Sequence, residues 1–221
     1  MWAFRRIVGT GRRFTAAVVL LGLVAVACGG GGDSGLEYVA PDDAALFTVP
    51  TDWHLYQSDE LASLGGLPFV TNFGNQLTVI SQVAFDGAPG RAVSNLGANV
   101  ASSEYPVGSF VIRGIGTEER EAVSRTLLEQ SVLWPENFSV DEEAAFEEDF
   151  EFSTEYEGIR RFLPFQDQET EEEGLVYFIS VTDATDTRIF SMAAGCSTAC
   201  WEVYGDQIVE VVDSWLVNTN P

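Results

Sequence analysis

Apolar positions along the chain fall into three kinds of run. The first is continuous, from Thr15 to Ala27, with no charged residue in it. The second is short, rich in β-branched and aromatic residues and bounded by turn formers, the pattern of strands. It comprises Leu46–Val49 stopped by Pro50, "LTVISQVAF" (77–85) ending at Asp86-Gly87, and "GSFVIRGIG" (108–116). Further on come "IRRFLPF", "LVYFISVT" and "RIFSMAAG", the last two joined by "DATDT", a hairpin connection rich in turn residues. The third kind has helical period. Thr117 is a candidate N-cap with Glu118, Glu119 and Glu121 in the first turn, Val123, Leu127 and Leu128 on one face, and Trp134-Pro135 as the stop. From Trp201 onward, Tyr204, Ile208, Val211, Val212 and Trp215 share an apolar face, while Glu202, Asp206, Glu210 and Asp213 lie elsewhere. The stretch 57–76 predicts a long loop or a short helix with a loop, and the sequence between the strands at 77–85 and 108–116 is weakly patterned.

The part of the chain from about residue 40 onward has the size of one ordinary domain, so a single domain with one substantial core is expected over residues 41–221. The continuous run belongs to a different part of the molecule. Arg5, Arg6, Arg12 and Arg13 precede it, and Ala25-Val26-Ala27 gives it a small-residue exit, the order of an export signal over residues 1–27. A membrane-spanning helix would need about 20 apolar residues, which this run does not supply. Ala25-Val26-Ala27-Cys28 resembles the lipobox of bacterial lipoproteins, in which the cysteine is acylated and becomes the first residue. Cys28 is therefore the expected lipidation site, and residues 28–40 the expected glycine-rich linker, flexible because Gly29–Gly32 have no side chains to order. Two or more acyl chains hold a protein to a bilayer where one does not. The expected location is the extracytoplasmic side of the cell membrane, reached by general or twin-arginine export.

Charge sharpens this picture. The 34 acidic residues all follow Cys28 and meet seven arginines and no lysine there, a net charge of −27 for the processed chain. Such a field repels nucleic acid and anionic headgroups and attracts basic partners or cations. The acids concentrate in "DEEAAFEEDFEFSTEYE" (141–157) and "QDQETEEEG" (166–174). Phe146, Phe150, Phe152 and Tyr156 within the first predict a half-buried surface. Glu171, Glu172 and Glu173 in the second are the candidate surface for a basic envelope protein or a divalent cation. Neither run has the ligand spacing of a calcium loop, and no metal site or cofactor is expected.

Cys196 and Cys200 stand just before the last helix. An exported domain meets an oxidising environment, so the pair is expected to form a disulfide. Cβ atoms four apart on a regular helix are about 5–6 Å apart, too far for a bridge. Ser197-Thr198-Ala199 must therefore form a turn or a distorted first helical turn.

"FTVPTDWHLY" near the front and "GCSTACWEVYGDQIVEVVDSWLV" at the end resemble the Mog1/PsbP-like fold of exported bacterial lipoproteins. In that family a proline-then-tryptophan strand opens the domain and a helix ending in Ser-Trp closes it, the places held here by Pro50, Trp53, Ser214 and Trp215. The resemblance implies an α+β domain, an antiparallel sheet flanked by helices in an α/β/α sandwich, over about residues 40–217, and a binding or assembly module. A noncatalytic, membrane-anchored module is thus the expected function, with no catalytic residues. The enzyme alternative, an extracytoplasmic hydrolase, would rest on His54 with Asp52 as its orienting carboxylate and Ser58 or Ser63 as nucleophile. No "GxSxG" elbow accompanies them.

Overall fold

The computed structural model describes residues 35–217 except 42–43, 63–77, 98, 117–137, 154–155, 184 and 186, and the side chains outside 149–157. The export signal, Cys28, Gly29–Gly32, Ser63 and the helix expected from Thr117 lie outside the described residues. So do the side chains of Phe150, Phe152 and Tyr156.

Strands β1 (Leu36–Val39), β2 (Ala45–Val49) and β3 (His54–Gln57) lead into a one-turn helix α1 (Ser58–Leu61), then β4 (Thr78–Asp86) and β5 (Val107–Gly114). After these come β6 (Phe138–Val140), β7 (Phe146–Ser153), β8 (Tyr156–Asp167), β9 (Glu173–Thr182), β10 (Arg188–Ser197), helix α2 (Thr198–Asp213) and β11 (Leu216–Val217). The main sheet runs β3-β4-β5-β10-β9-β8, with β6 and β7 both paired along the free side of β8, and its pairings are antiparallel. A second sheet has the order β1-β2-β11. The antiparallel α+β architecture is the one the resemblance implies, and the six strand segments and the final helix agree with the sequence pattern.

Two differences have clear causes. Residues 36–39, assigned above to the linker, form β1, because Tyr38 alternates inward onto Phe47 and Phe110 at ring distances of 5.2 and 6.3 Å. The described strand structure therefore begins at Leu36, inside the span expected as linker. Phe146, expected half-buried, is 57% exposed, because β7 is an edge strand and this end of it has no covering layer among the described residues. The edge itself is split by Pro164 in β8. Proline offers no N–H to a neighbouring strand, and here only its carbonyl is used, accepting from the Asp141 N–H at 3.0 Å in the turn between β6 and β7.

Alternation decides what each face of the main sheet meets. Val83, Phe85, Phe110, Ile112, Ile179, Phe190 and Met192 lie in the core beneath α2 and the small sheet. A chain of rings runs through this layer: Trp53 stacks on Phe85 at 5.9 Å, Phe85 meets Phe47, Phe47 meets Phe110, and Phe110 meets Trp215 edge-on at 5.8 Å. Phe85 reaches this position because its cross-strand partner is Gly108, where a Cβ would fall 2.3 Å from the ring. Pro50, Trp53, Ser214 and Trp215 converge on this layer. The Pro50 carbonyl accepts from the Trp53 N–H, and Ser214 Oγ both accepts from the Thr48 N–H at 3.0 Å and bonds its carbonyl oxygen. The opposite face holds a second apolar group around Leu163, Phe165, Val176 and Phe178, together with buried Ser109, Arg113, Ser180 and Ser191.

Helix α2 begins at a covalent corner. Cys196 ends its strand fully buried, Ser197 caps the helix by accepting from the Cys200 N–H at 3.2 Å, and the two sulfurs are bonded with Cα atoms 5.9 Å apart. The strand-to-helix turn thus supplies the non-helical spacing that a bridge over four residues requires. So small a loop removes little chain entropy, about 2 kcal/mol. In the Cys28→Ala chain, thiol titration under denaturant without reductant should find no free thiol, and replacing both Cys196 and Cys200 by alanine should lower stability by about that amount. Two reactive thiols would refute the bridge.

Candidate functional site

The sequence concentrates carboxylates at the β8–β9 connection, and the fold turns that connection into a fixed structure. Asp167 ends β8 with 1% exposure and works as the post of the turn. Its Oδ1 accepts from the N–H groups of Glu169 and Thr170 at 2.8 and 3.3 Å, and Asn99 donates its side-chain amide to Oδ2. Its own N–H bonds the Glu172 carbonyl, and its carbonyl accepts from the Glu171 N–H at 2.8 Å. Glu171 is held at φ 61°, a left-handed conformation that a non-glycine residue adopts only under such constraint. As a result Glu169, Glu171, Glu172 and Glu173 stand exposed on a rigid turn, and no ion pair reaches Glu171, Glu172 or Glu173 among the described residues.

Beside this turn a cleft of about 490 Å³ opens between β6, β8, β9 and the start of α2. Pro164 and Leu175, cross-strand partners on the α2 side of the sheet, give it an apolar floor, and Asp141, Glu173 and Thr198 stand around it. On the other face Phe165 lies flat because Phe138 stacks on it at 4.8 Å and because Gly174 opposite carries no Cβ, which would come 2.5 Å from the ring. The neighbouring β6–β7 turn adds exposed Glu142 and Glu143, tied by Asp141 Oδ1, which accepts from the Glu143 and Ala144 N–H groups. Arg161 offsets part of this charge by pairing with Glu142 at 2.8 Å and Glu147 at 2.7 Å. The arrangement suits a ligand with both apolar surface and positive charge. Among the described residues no group of three or more His, Cys, Asp or Glu side chains is placed to hold a metal ion.

The His54 region lies at the opposite side of the sheet and is built differently. Asp52 is in the exposed turn before β3, so it does not share the strand face of His54. The residue facing His54 across the β3–β4 pairing is Asp86. Ser58 donates to the Gln82 carbonyl at 3.1 Å, away from the imidazole. Asp86, fully buried, gathers the Tyr56 hydroxyl at 2.5 Å, the Ala88 N–H at 2.9 Å and the Asn95 amide. Tyr56 Oη in turn accepts from the Ala92 N–H, and Arg91 lies over its ring at 4.8 Å while pairing with Glu60. Every polar group of Asp86 is thereby committed to holding the 87–97 loop on β3 and β4. In the sequence pattern alone Asp86 is only a strand end. The available signal was its place directly before a glycine, where an aspartate side chain bonds the amide two residues on.

Burial, reinforced by the hydrogen bond to Asp86, pushes the Tyr56 phenol well above its ordinary value, and burial with the bond to Asp213 does the same at Tyr177. A proton held more tightly in the folded chain than in the unfolded one contributes stability that is complete below the unfolded pKa, about 10. That contribution is lost as pH rises through the folded value. Burial lowers Arg113 to about 10, which works in the opposite sense over the same range. The expected result is that stability declines above about pH 10 and that Tyr56→Phe with Tyr177→Phe flattens the decline. Urea midpoints against pH measure it, and parallel curves for the two proteins would contradict the assignment.

Comparison with known proteins gives fold-level likeness only. The chain is similar to the solution structure of cyanobacterial PsbP (CyanoP) from Synechocystis sp. PCC 6803, with TM-score 0.44 and 14% identity over 86% of this chain and 97% of that one. It is similar also to a crystal structure from Bacteroides thetaiotaomicron VPI-5482, with TM-score 0.43 and 8% identity over 85% of this chain and 50% of that one. No family model and no curated protein matches the sequence.

Proposed function

We propose that this protein is an exported lipoprotein of the Mog1/PsbP-like kind, anchored through Cys28, that acts as a noncatalytic binding or assembly module at the cell envelope and engages a basic protein surface. The observation that carries the reading is the rigid turn presenting Glu171, Glu172 and Glu173 beside an apolar-floored cleft. A partner would insert an apolar side chain over Pro164 and Leu175 and set arginine or lysine against the glutamates. The net charge of −27 would draw such a partner in before contact. Divalent cation binding on the same carboxylates is the competing ligand.

Two measurements test the reading. Mass spectrometry of the mature N-terminus should find acylated Cys28, and Cys28→Ala should abolish processing; an unmodified terminus elsewhere refutes the anchor. Titration with an arginine-rich peptide carrying one aromatic residue should show binding that weakens steeply with salt, since exposed charges screen over about 8 Å at physiological ionic strength. Each exposed pair contributes roughly 0.2–1 kcal/mol, so changing Glu171, Glu172 and Glu173 together to Gln should weaken binding by about tenfold. Calcium titrated in place of the peptide separates the competing ligand. Salt-insensitive binding would leave the acidic face a solubilising surface only.

A further inference from the structure

The small sheet turns an apolar face outward. Its inward positions are filled by Tyr38, Ala45, Phe47, Val49 and Val217, which pack into the core layer beneath α2. Strand alternation sends Glu37 and Val39 of β1, Leu46 and Thr48 of β2, and Leu216 of β11 the other way. Val39, Leu46 and Leu216 are direct cross-strand neighbours, so they form one continuous row across all three strands. Val39 is 46% exposed and Leu216 55%. In a chain with 34 acidic residues, one of the five outward side chains of this sheet, Glu37, is charged, and it lies two residues along β1 from the row.

The sheet also stands where the anchor delivers it. Eight residue steps separate Cys28 from Leu36, a reach of about 28 Å at full extension, and about 16 Å on average for a glycine-rich chain. β1 is therefore the first described element behind the proposed lipid, and the tether keeps its sheet within that reach of the bilayer. We propose that the Val39–Leu46–Leu216 row is a membrane-seating surface, by which the domain rests on the acyl boundary of the bilayer that holds its lipid. This inference rests on the lipid anchor proposed above. Weak apolar contact suffices here, because the tether makes the encounter intramolecular. Seating by a face whose row is apolar and whose one outward carboxylate, Glu37, lies off that row also lets a chain of net charge −27 approach a bilayer with most of its carboxylates away from the headgroups. The β8–β9 turn belongs to the main sheet and takes no part in the row.

The test uses the full acylated chain on phosphatidylcholine vesicles with one nitroxide label at a time, introduced by Leu216→Cys, Val39→Cys or, as a reference, Glu171→Cys. Cys196 and Cys200 are bonded and Cys28 is acylated, so each variant carries a single reactive thiol. Labels at 216 and 39 should gain accessibility to oxygen and lose accessibility to a water-soluble nickel complex on vesicles, while the label at 171 stays as in water. If Leu216→Cys fails to fold, Val39→Cys gives the same readout on the other edge strand. Water-like behaviour at both 216 and 39 on vesicles that carry the protein overturns this proposal alone. Label–label broadening at 216 that grows with protein density shows a second copy covering the face and likewise overturns it. A chain that does not float with the vesicles at all overturns the anchor, and this proposal with it.

Discussion

Trp215→Ala is expected to cost about 3–5 kcal/mol, a large share of the roughly 5–15 kcal/mol that holds a domain folded. The indole is 1% exposed and closes the chain of rings that begins at Trp53, meeting Phe110 at 5.8 Å and Phe190 at 6.5 Å. Both of those partners sit on neighbouring central strands of the main sheet, so they cannot shift inward to fill the space, and a cavity must remain. Guanidinium unfolding should show a midpoint lowered substantially at unchanged slope. A midpoint within the error of the parent would mean that the ring is not the keystone of the layer.

Asp86→Ala should cost about 3–5 kcal/mol by a different route. Alanine leaves the Tyr56 hydroxyl, the Ala88 N–H and the Asn95 amide without their common acceptor in a fully buried place, and the loss comes from those orphaned donors. Asp86→Asn, which keeps an acceptor oxygen, should lose less. A double-mutant cycle with Tyr56→Phe isolates the central bond and should return a coupling of about 1–3 kcal/mol. Additive effects of the two changes would show that the short bond carries no special energy.

These two residues also mark how far the sequence could be taken. Trp215 was legible as a core residue, since its spacing from Ile208, Val211 and Val212 put it on their apolar face; the structure buries it, although the helix ends at Asp213 and Trp215 lies just beyond the cap. Long strands such as β9 and β10 were legible for a similar reason: buried on both faces over most of their length, they carry nearly unbroken apolar runs. β11 was not, because two residues carry no period, and its existence depends wholly on β2 lying alongside. β1 hid in the linker for the same reason. The carboxylates of 166–174 were found as a charged run, yet their difference in role could not be. Burial of Asp167 and exposure of its neighbours follow from Asn99, a residue 68 positions earlier that no local pattern connects to them.

The joining of β2 to β11 fixes an order of events. Thr48 is tied to Ser214 across 166 residues, and the strand opening the domain has its partner in the last few residues described. A chain emerging from its amino end must therefore hold β2 open, edge unpaired, until nearly everything else has been delivered. Contacts so distant in sequence close slowly, and an unpaired edge is an invitation to the wrong neighbour. Loss of only the segment beyond α2 would leave the aromatic layer without Trp215 and β2 without its far edge, so quality control by a protease or chaperone has a simple feature to recognise in any unfinished copy.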